Sequence, residues 1–241
     1  MVGLSPLARV RQAVLDVLFP SRCVGCGAYG SFFCSSCQAE LPRARPPRCP
    51  VCWQPQRQGD ACGRCREERP AFQGARSLYV YQGVAREAVH ALKYNYLSAL
   101  AQPMAQLMAR YVEEEAIEAD LLVAVPLYGR RQRLRGYNQS ALLAREFSRL
   151  CGLPLAGRGL ARRRNTPPQA RSADAEARKR NVTDAFIADR RWVEGKRILL
   201  IDDVMTTGAT LDACARALRQ AGAASVWALS FACGGLIALE R

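Results

Sequence analysis

Strand-like and helix-like spacings of apolar residues alternate through the last two-thirds of the chain. Ser77–Tyr81 (S-L-Y-V-Y) reads as a strand and Val84–Tyr94 as a helix. Met104–Glu118 continues as a helix with an acidic outer face, and Leu121–Val125 is a short, wholly apolar run. Such a run is the pattern of a central parallel strand covered on both faces. Asn138–Leu150 places Leu142, Leu143 and Phe147 on one side of a helix. Arg197–Ile201 then predicts a strand, Thr210 to Ala221 a helix, and Ser225–Phe231 the last strand. Strands alternating with helices predict an α/β fold with a mostly parallel sheet.

One stretch, Ala221 to Leu239, has no charged residue. Its Ala221-Gly222 and Gly234-Gly235 punctuation breaks it into a helix end and a buried strand, against the roughly 20 apolar residues of a membrane span.

The first third of the chain differs. Met1 to Pro20 carries Leu4, Leu7, Val10, Val14, Leu15, Val17 and Leu18, interrupted by Arg9, Arg11 and Asp16. This predicts an amphipathic helix with Ser5 as N-cap and Pro6 at its first position. The interruptions argue against a secretory signal. Residues 20–70 are rich in Cys, Pro, Arg and Gly and poor in branched aliphatics, so they need a staple other than an apolar core. The organisation expected is a helix over 1–20, a cysteine module over 21–70 and an α/β domain over 75–241.

Composition sharpens this picture in two places. With 49% hydrophobic residues in 241, most of the chain is excluded from the disordered class. The formal charge of +14 is concentrated: residues 121–180 hold 14 basic and 3 acidic side chains, mostly arginine. Concentrated positive charge points to polyanions such as phosphorylated metabolites or nucleic acid. The run lacks the amphipathic stripe and aromatic anchors of a membrane-surface helix.

Eight of the eleven cysteines form four C-x-x-C pairs: Cys23/Cys26, Cys34/Cys37, Cys49/Cys52 and Cys62/Cys65. Two thiolates at this spacing reach one ion, so four pairs make two Cys₄ tetrahedral sites, for which Zn²⁺ is the usual occupant. Sequential pairing closes loops of seven and nine residues and is preferred; interleaved pairing is the alternative. An iron–sulfur centre and a redox dithiol are the competing chemistries, but a redox C-x-x-C belongs beside a βαβ unit. Cys151, Cys214 and Cys233 lie in apolar runs and are expected in the core. Cysteines used this way suit a reducing cytosol, so a cytoplasmic location is expected.

The strongest chemical motif is Ile198-Leu199-Leu200-Ile201-Asp202-Asp203-Val204-Met205-Thr206-Thr207-Gly208-Ala209-Thr210. A buried strand ends in two carboxylates, and a hydroxyl- and glycine-containing turn opens a helix. Ligands of open parallel sheets bind at the carboxyl ends of strands, and a helix N-terminus with free amides accepts an anion. Ionised carboxylates accept hydrogen bonds from a sugar diol. Together these residues read as a ribose-5-phosphate cradle. Upstream, Val125 to Ser140 places Arg130, Arg131, Arg133 and Arg135 between a strand end and a helix start, the place for a second phosphate site. The run from Arg162 through Asn181 fits a mobile basic flap. His90 is expected to be an ordinary surface or cap residue.

The acidic-pair segment resembles the phosphoribosyl-pyrophosphate (PRPP) motif of type I phosphoribosyltransferases. The resemblance implies that Asp202 and Asp203, the catalytic candidates, take the ribose hydroxyls, and that Thr206, Thr207, Gly208, Ala209 and Thr210 wrap the 5′-phosphate. Arg130 and Arg135 complete the candidate PRPP-binding set. The order V-P-L, R-G-Y-N-Q, T-x-x-Q, R-x-x-N-V and then the PRPP motif resembles the ComF family of competence-associated proteins. Leu18-Phe19-Pro20 and Leu92-Lys93-Tyr94 also look like that family. The T-x-x-Q loop departs from it at Ser172, close to where an apolar residue usually lies. The resemblance implies a type I phosphoribosyltransferase-like, mostly parallel sheet flanked by helices, preceded by a small zinc-ribbon-like module. It further implies two structural Zn²⁺, Mg²⁺ with PRPP, single-stranded DNA, and a competence helicase or other uptake machinery as partners. The alternative is an active phosphoribosyltransferase of nucleobase-type metabolism with no DNA role. Only Tyr128, Tyr137 and Phe147 offer aromatic stacking surface in the basic stretch.

Overall fold

A computed structural model describes residues 20–95, 97–129, 133, 135–163 and 185–234. The N-terminal helix, Arg130 and most of the second basic run lie outside the described residues.

Four parallel strands form the sheet: β1 (Gly74–Val80), β2 (Leu121–Ala124), β5 (Arg197–Met205) and β6 (Ser225–Cys233), in the spatial order β1-β6-β5-β2. A separate two-stranded antiparallel ribbon joins β3 (Leu160–Arg162) to β4 (Phe186–Ala188). This ribbon flanks the second basic run.

Alternation along β5 divides the core in two. Leu199 and Ile201 face α3 (Gly83–Tyr94), α4 (Ala101–Glu114) and α5 (Gln139–Cys151), which contribute Val89, Leu92, Met104, Met108, Leu143 and Phe147. Ile198 and Leu200 face α7 (Ala209–Gln220), through Leu211, Cys214 and Leu218. The same face takes Cys49, Cys52, Trp53 and Cys65, so part of the cysteine region packs directly on the sheet. That region also holds two one-turn helices, α1 (Ser35–Ala39) and α2 (Gly63–Glu67); a third short helix, α6 (Arg190–Val193), leads into β5.

The helices start and stop for identifiable reasons. The Asn138 side chain accepts from the amides of Ser140 and Ala141, capping α5. Pro103 is tolerated in α4 because first-turn amides have no partner inside the helix. Helix α4 ends at Glu114, ahead of the Glu118 expected from sequence, where Ala116 adopts φ 49°.

Three expectations are corrected. Strand β2 is an edge of the described sheet, not central. It is apolar because Leu121 and Val123 join one core cluster and Leu122 the other. Among the described residues its outer side is bridged only by Leu155, whose neighbours Pro154 and Ala156 exchange backbone hydrogen bonds with Leu122. Strand β5 does not end at the acids but runs on to Met205, paired with β6. Cys151, at the end of α5, is exposed, whereas Cys214 and Cys233 are buried as expected.

Phe147 is completely buried among the helices of one face. Phe147→Ala is expected to cost about 3–5 kcal/mol in denaturant unfolding. Leu150→Ala, on an exposed position of the same helix, should stay within about 0.5 kcal/mol. Equal effects of the two would contradict the packing described.

Candidate functional site

The site begins where β2 stops. Pairing of β2 with β5 ends at Ala124 and Ile201, and the Val125 amide makes the last bond, 2.9 Å to the Ile201 carbonyl. Asp202 and Asp203 follow on a strand still held by β6 on its other side. Adjacent residues on a strand point to opposite faces, so Asp203 continues the row of Leu199 and Ile201 toward α3. There it meets Lys93, Nζ to Oδ1 2.9 Å, with the aspartate side chain only 8% exposed. Asp202 accepts from the Ser140 hydroxyl at 2.8 Å and from the Asp203 amide at 2.9 Å.

Electrostatics set these groups apart. Burial and the neighbouring Asp203 carboxylate push Asp202 up to about 7, with the Ser140 hydroxyl and Lys93 opposing. Burial works against the charge of Lys93, but Asp203 and then Asp202 outweigh it and hold the ammonium above its usual range. Two carboxylates and one ammonium therefore form a partly compensated cluster. A cation or a diol brought to it would favour ionisation of Asp202.

The turn after β5 carries the residues that the sequence motif suggests for an anion. Gly208, the N-cap of α7, has φ 80°, a left-handed conformation that a side chain would strain. Thr206, Thr207 and Thr210 are exposed, and Thr207 Oγ1 accepts from the Ala209 amide at 3.4 Å. First-turn amides and the helix dipole favour a negative charge there. All five turn residues proposed for the 5′-phosphate thus lie in sequence on one β5–α7 junction, beside both acids.

Arg135 reaches the neighbourhood by another route. Its guanidinium lies 5.0 Å from the Tyr94 ring centroid and donates to Gln139 Oε1 at 2.8 Å. Gln139 is 2% exposed, and its amide nitrogen has no partner among the described residues. The Tyr137 hydroxyl donates to the Leu92 carbonyl at 2.6 Å, and Asn138 Nδ2 to the Val125 carbonyl at 2.9 Å. The R-G-Y-N-Q and L-K-Y segments therefore meet at the acids. Phe147, counted as a stacking surface from sequence, is unavailable because it is fully buried. His90 is exposed and lies 4.8 Å from the Tyr94 ring.

The eight paired cysteines gather sequentially, not interleaved: Cys23, Cys26, Cys34 and Cys37 in one cluster, and Cys49, Cys52, Cys62 and Cys65 in the other. Within each, the sulfurs lie within 4.8 Å of one another. Cys26 and Cys34 are 3.7 Å apart, and Cys52 and Cys62 3.6 Å. Tetrahedral zinc with Zn–S near 2.3 Å requires about 3.8 Å between sulfurs, so both clusters fit structural zinc. Gly25 is required in the first knuckle, since a Cβ there would stand 2.8 Å from the Cys37 sulfur. Burial opposes the Cys23 thiolate, but amide donation from Cys34, Cys26 and Gly25 outweighs it and brings the thiol down to about 6. The same balance, with amides of Cys52, Cys62 and Val51, brings Cys49 down to about 7.

Comparison with known proteins accords with this geometry. Residues 14–66 match the double zinc ribbon domain family and residues 135–232 the phosphoribosyl transferase domain family. The DNA utilization protein YhgH of Salmonella typhimurium is 34% identical over 204 residues, covering 81% of this chain and 88% of that protein. The chain belongs to the ComF family. Competence protein F of Haemophilus influenzae is 28% identical, covering 88% of this chain and 97% of that protein; ComFC of Bacillus subtilis is 29% identical, covering 80% of each. In this ComF-family chain the matched phosphoribosyl transferase span contains both acids and the T-T-G turn, whereas Lys93 lies ahead of it.

Two contributors carried no assigned role in the sequence reading. Lys93 sits in the last turn of α3, where any lysine is favoured by the helix dipole, so nothing local marks it as a partner of Asp203. Ser140 lies just beyond the R-G-Y-N-Q motif and reads as an ordinary first-turn residue.

Metal analysis should return two zinc per chain, and Cys49→Ser should lower that count; a wild-type count of one would break the double-centre arrangement. The Asp202 shift also has a signed consequence. Between pH 3.8 and about 7 the folded chain holds a proton that the unfolded chain has released, so stability falls as pH rises through that window. Asp202→Asn should flatten that part of the stability–pH curve. An unchanged slope would show that Asp202 is not the titrating group.

Proposed function

We propose that this ComF-family chain binds PRPP together with Mg²⁺ at the β5–α7 junction and holds single-stranded DNA through its arginine-rich segment, as a phosphoribosyltransferase-like component of DNA uptake in the cytoplasm. The observation that carries the reading is the juxtaposition of Asp202 and Asp203, compensated by Lys93 and Ser140, with the Thr206–Thr210 turn at the head of α7. Carboxylates accept from the two ribose hydroxyls; the turn amides and threonine hydroxyls donate to the 5′-phosphate. Arg130 and Arg135 are assigned to the pyrophosphate, where guanidinium forks match phosphate oxygens. The buried Gln139 amide nitrogen, without a partner among the described residues, fits an acceptor arriving with the ligand.

Asp202 and Asp203 offer the hard oxygen ligands that Mg²⁺ favours, and the ion would supply charge neutralisation for a departing pyrophosphate. The chain's own part in group transfer is to fix the ribose through these acids and to stabilise pyrophosphate charge with arginine. The competence association follows from the names of the two competence relatives. The DNA role is supported by the 14 basic against 3 acidic residues of 121–180, more than two phosphate sites need.

Calorimetric titration with PRPP, with and without Mg²⁺, tests the first part. Wild type should bind more tightly with Mg²⁺, and Asp203→Asn or Asp203→Ala should weaken binding by tenfold or more, about 1.4 kcal/mol. Unchanged affinity in both variants would remove the acids from the site. For single-stranded DNA, six neutralised phosphates would give log K against log salt a slope of about −4. An affinity flat between low and moderate salt would remove the electrostatic grip and favour the nucleobase-metabolism reading.

A further inference from the structure

Gln54 ties the second cysteine cluster to the turn after β5 through its side chain. Its backbone belongs to the cluster: its amide donates to the Cys52 sulfur, and its carbonyl accepts from the Cys49 amide at 2.8 Å. Its side-chain Nε2 donates to the Thr206 carbonyl at 2.7 Å. The preceding residue, Trp53, holds this geometry in place. It is 6% exposed, adopts φ 60°, and its indole N–H donates to the Ser77 carbonyl on β1 at 3.0 Å. Arg48 Nη1 in turn donates to the Trp53 carbonyl at 2.9 Å.

The acceptor matters more than the length of the bond. A peptide unit is planar and trans, so its N–H points opposite to its C=O. Fixing the Thr206 carbonyl toward the cysteine cluster therefore fixes the Thr207 amide on the other side of the same plane. That amide is one of the turn donors assigned to phosphate. Two further ties converge from the chain just after the cluster: the Ala71 amide donates to Asp212 Oδ1 at 2.7 Å, and Glu68 lies 3.7 Å from Arg216 on α7. Among the described residues the first cluster shows no counterpart. Among the described residues no hydrogen bond links residues 21–40 to residues 202–212, and its knuckle instead lies against Val84 at the start of α3.

We propose that the two metal centres are unequal: the second, acting through the positioning residue Gln54, orients the Thr206–Thr207 peptide and so regulates phosphate binding, while the first only staples. This rests on the PRPP reading of the turn. Metal held by Cys49, Cys52, Cys62 and Cys65 fixes the Gln54 backbone, the side chain fixes the Thr206 carbonyl, and the turn is presented ready to bind. Coupling of this kind is reciprocal, so ligand at the turn must also be felt at the metal.

The experiment compares the zinc-loaded full chain with Gln54→Met, which keeps side-chain length and removes the donor, and with Gln38→Met on the first knuckle. Zinc content is measured throughout; should Gln54→Met lose metal, Gln54→Glu, of equal length and without the donor, replaces it. Backbone hydrogen exchange over residues 204–210, without ligand, should be about fivefold faster or more in the Gln54 variant and unchanged in Gln38→Met. The PRPP–Mg²⁺ affinity should fall by a similar factor. In chains reconstituted with Co²⁺, PRPP should shift the thiolate-to-cobalt absorption of wild type but not of the Gln54 variant. Unchanged exchange in a metal-replete Gln54 variant overturns the coupling. Absence of PRPP binding in wild type would instead overturn the proposed function, and the ligand-free exchange would still decide the coupling.

Discussion

Two adjacent carboxylates on a strand inside the fold are the constraint around which the rest is arranged. Burying a carboxylate without a partner costs several kcal/mol, and a neighbour of like charge adds to that cost. The chain meets it with Lys93, delivered from far upstream by α3, and with the Ser140 hydroxyl at the start of α5. Each delivery requires other residues. Tyr137 holds the carbonyl of Leu92, next to Lys93, while Asn138 both caps α5 and ties it to Val125 at the end of β2. The compensation is incomplete, since Asp202 is left titrating near neutrality. An acidic pair wholly neutralised by its own protein would have little left for a ligand; this one retains acceptor capacity that a diol or cation can use.

How much of this was legible in the sequence depended on whether a residue's role is local. Strand β5 and helix α7 were readable because apolar periodicity and the T-T-G turn point to the same boundary. The continuation of β5 through Asp202 and Asp203 was not, because a hydrophobic pattern treats charge as the end of a strand, while the pairing with β6 persists on one side only. Strand β2 looked central because both its faces are covered, and coverage of faces says nothing about neighbours in the sheet. Cys151 and Cys214 sit in similar apolar runs. Only their positions on α5 and α7 separate an exposed thiol from a core one. The cysteine spacing allowed two pairings, and the tertiary fold chose the sequential one. Lys93 and Gln54 act through partners distant in sequence, so no window around either could reveal them.

The cysteine region was expected to need a staple because it lacks aliphatic residues, and the structure adds where its missing core comes from. Residues 42–44 pair along the outer edge of β1, through Val80 to Pro42 at 2.7 Å and Ala44 to Leu78 at 2.9 Å, and the Ala75 amide donates to Val51. An exposed parallel edge would invite association, and here it is covered by chain from the metal-binding region. Phe33 and Leu41 join the helix-side core, while Trp53 and Cys65 join the other. Residues of the cysteine region therefore cover the sheet from both faces, so the order of its loops and that of β1 are linked.

The distribution of paired and unpaired charge argues in the same direction as its total. Arg197 is held by Glu118 and Asp120, Arg190 by Glu194, and Arg191 by Asp189. These arginines lie in residues 181–241, where 7 basic and 7 acidic side chains balance, and are engaged within the molecule. In the basic segment, Arg149 pairs with Glu146 at 2.9 Å, whereas Arg133, Arg145, Arg158 and Arg163 are exposed, and the acidic side chains there are few. Arg135 is engaged instead by Gln139 and the Tyr94 ring, a neutral amide and a π face that leave its positive charge uncancelled. A guanidinium held in place without being neutralised is suited to a phosphate, because its orientation is fixed and its charge remains available. The fold thus treats arginine in two ways: cancelled by acid where it supports structure, and oriented but uncancelled beside the carboxyl end of the sheet.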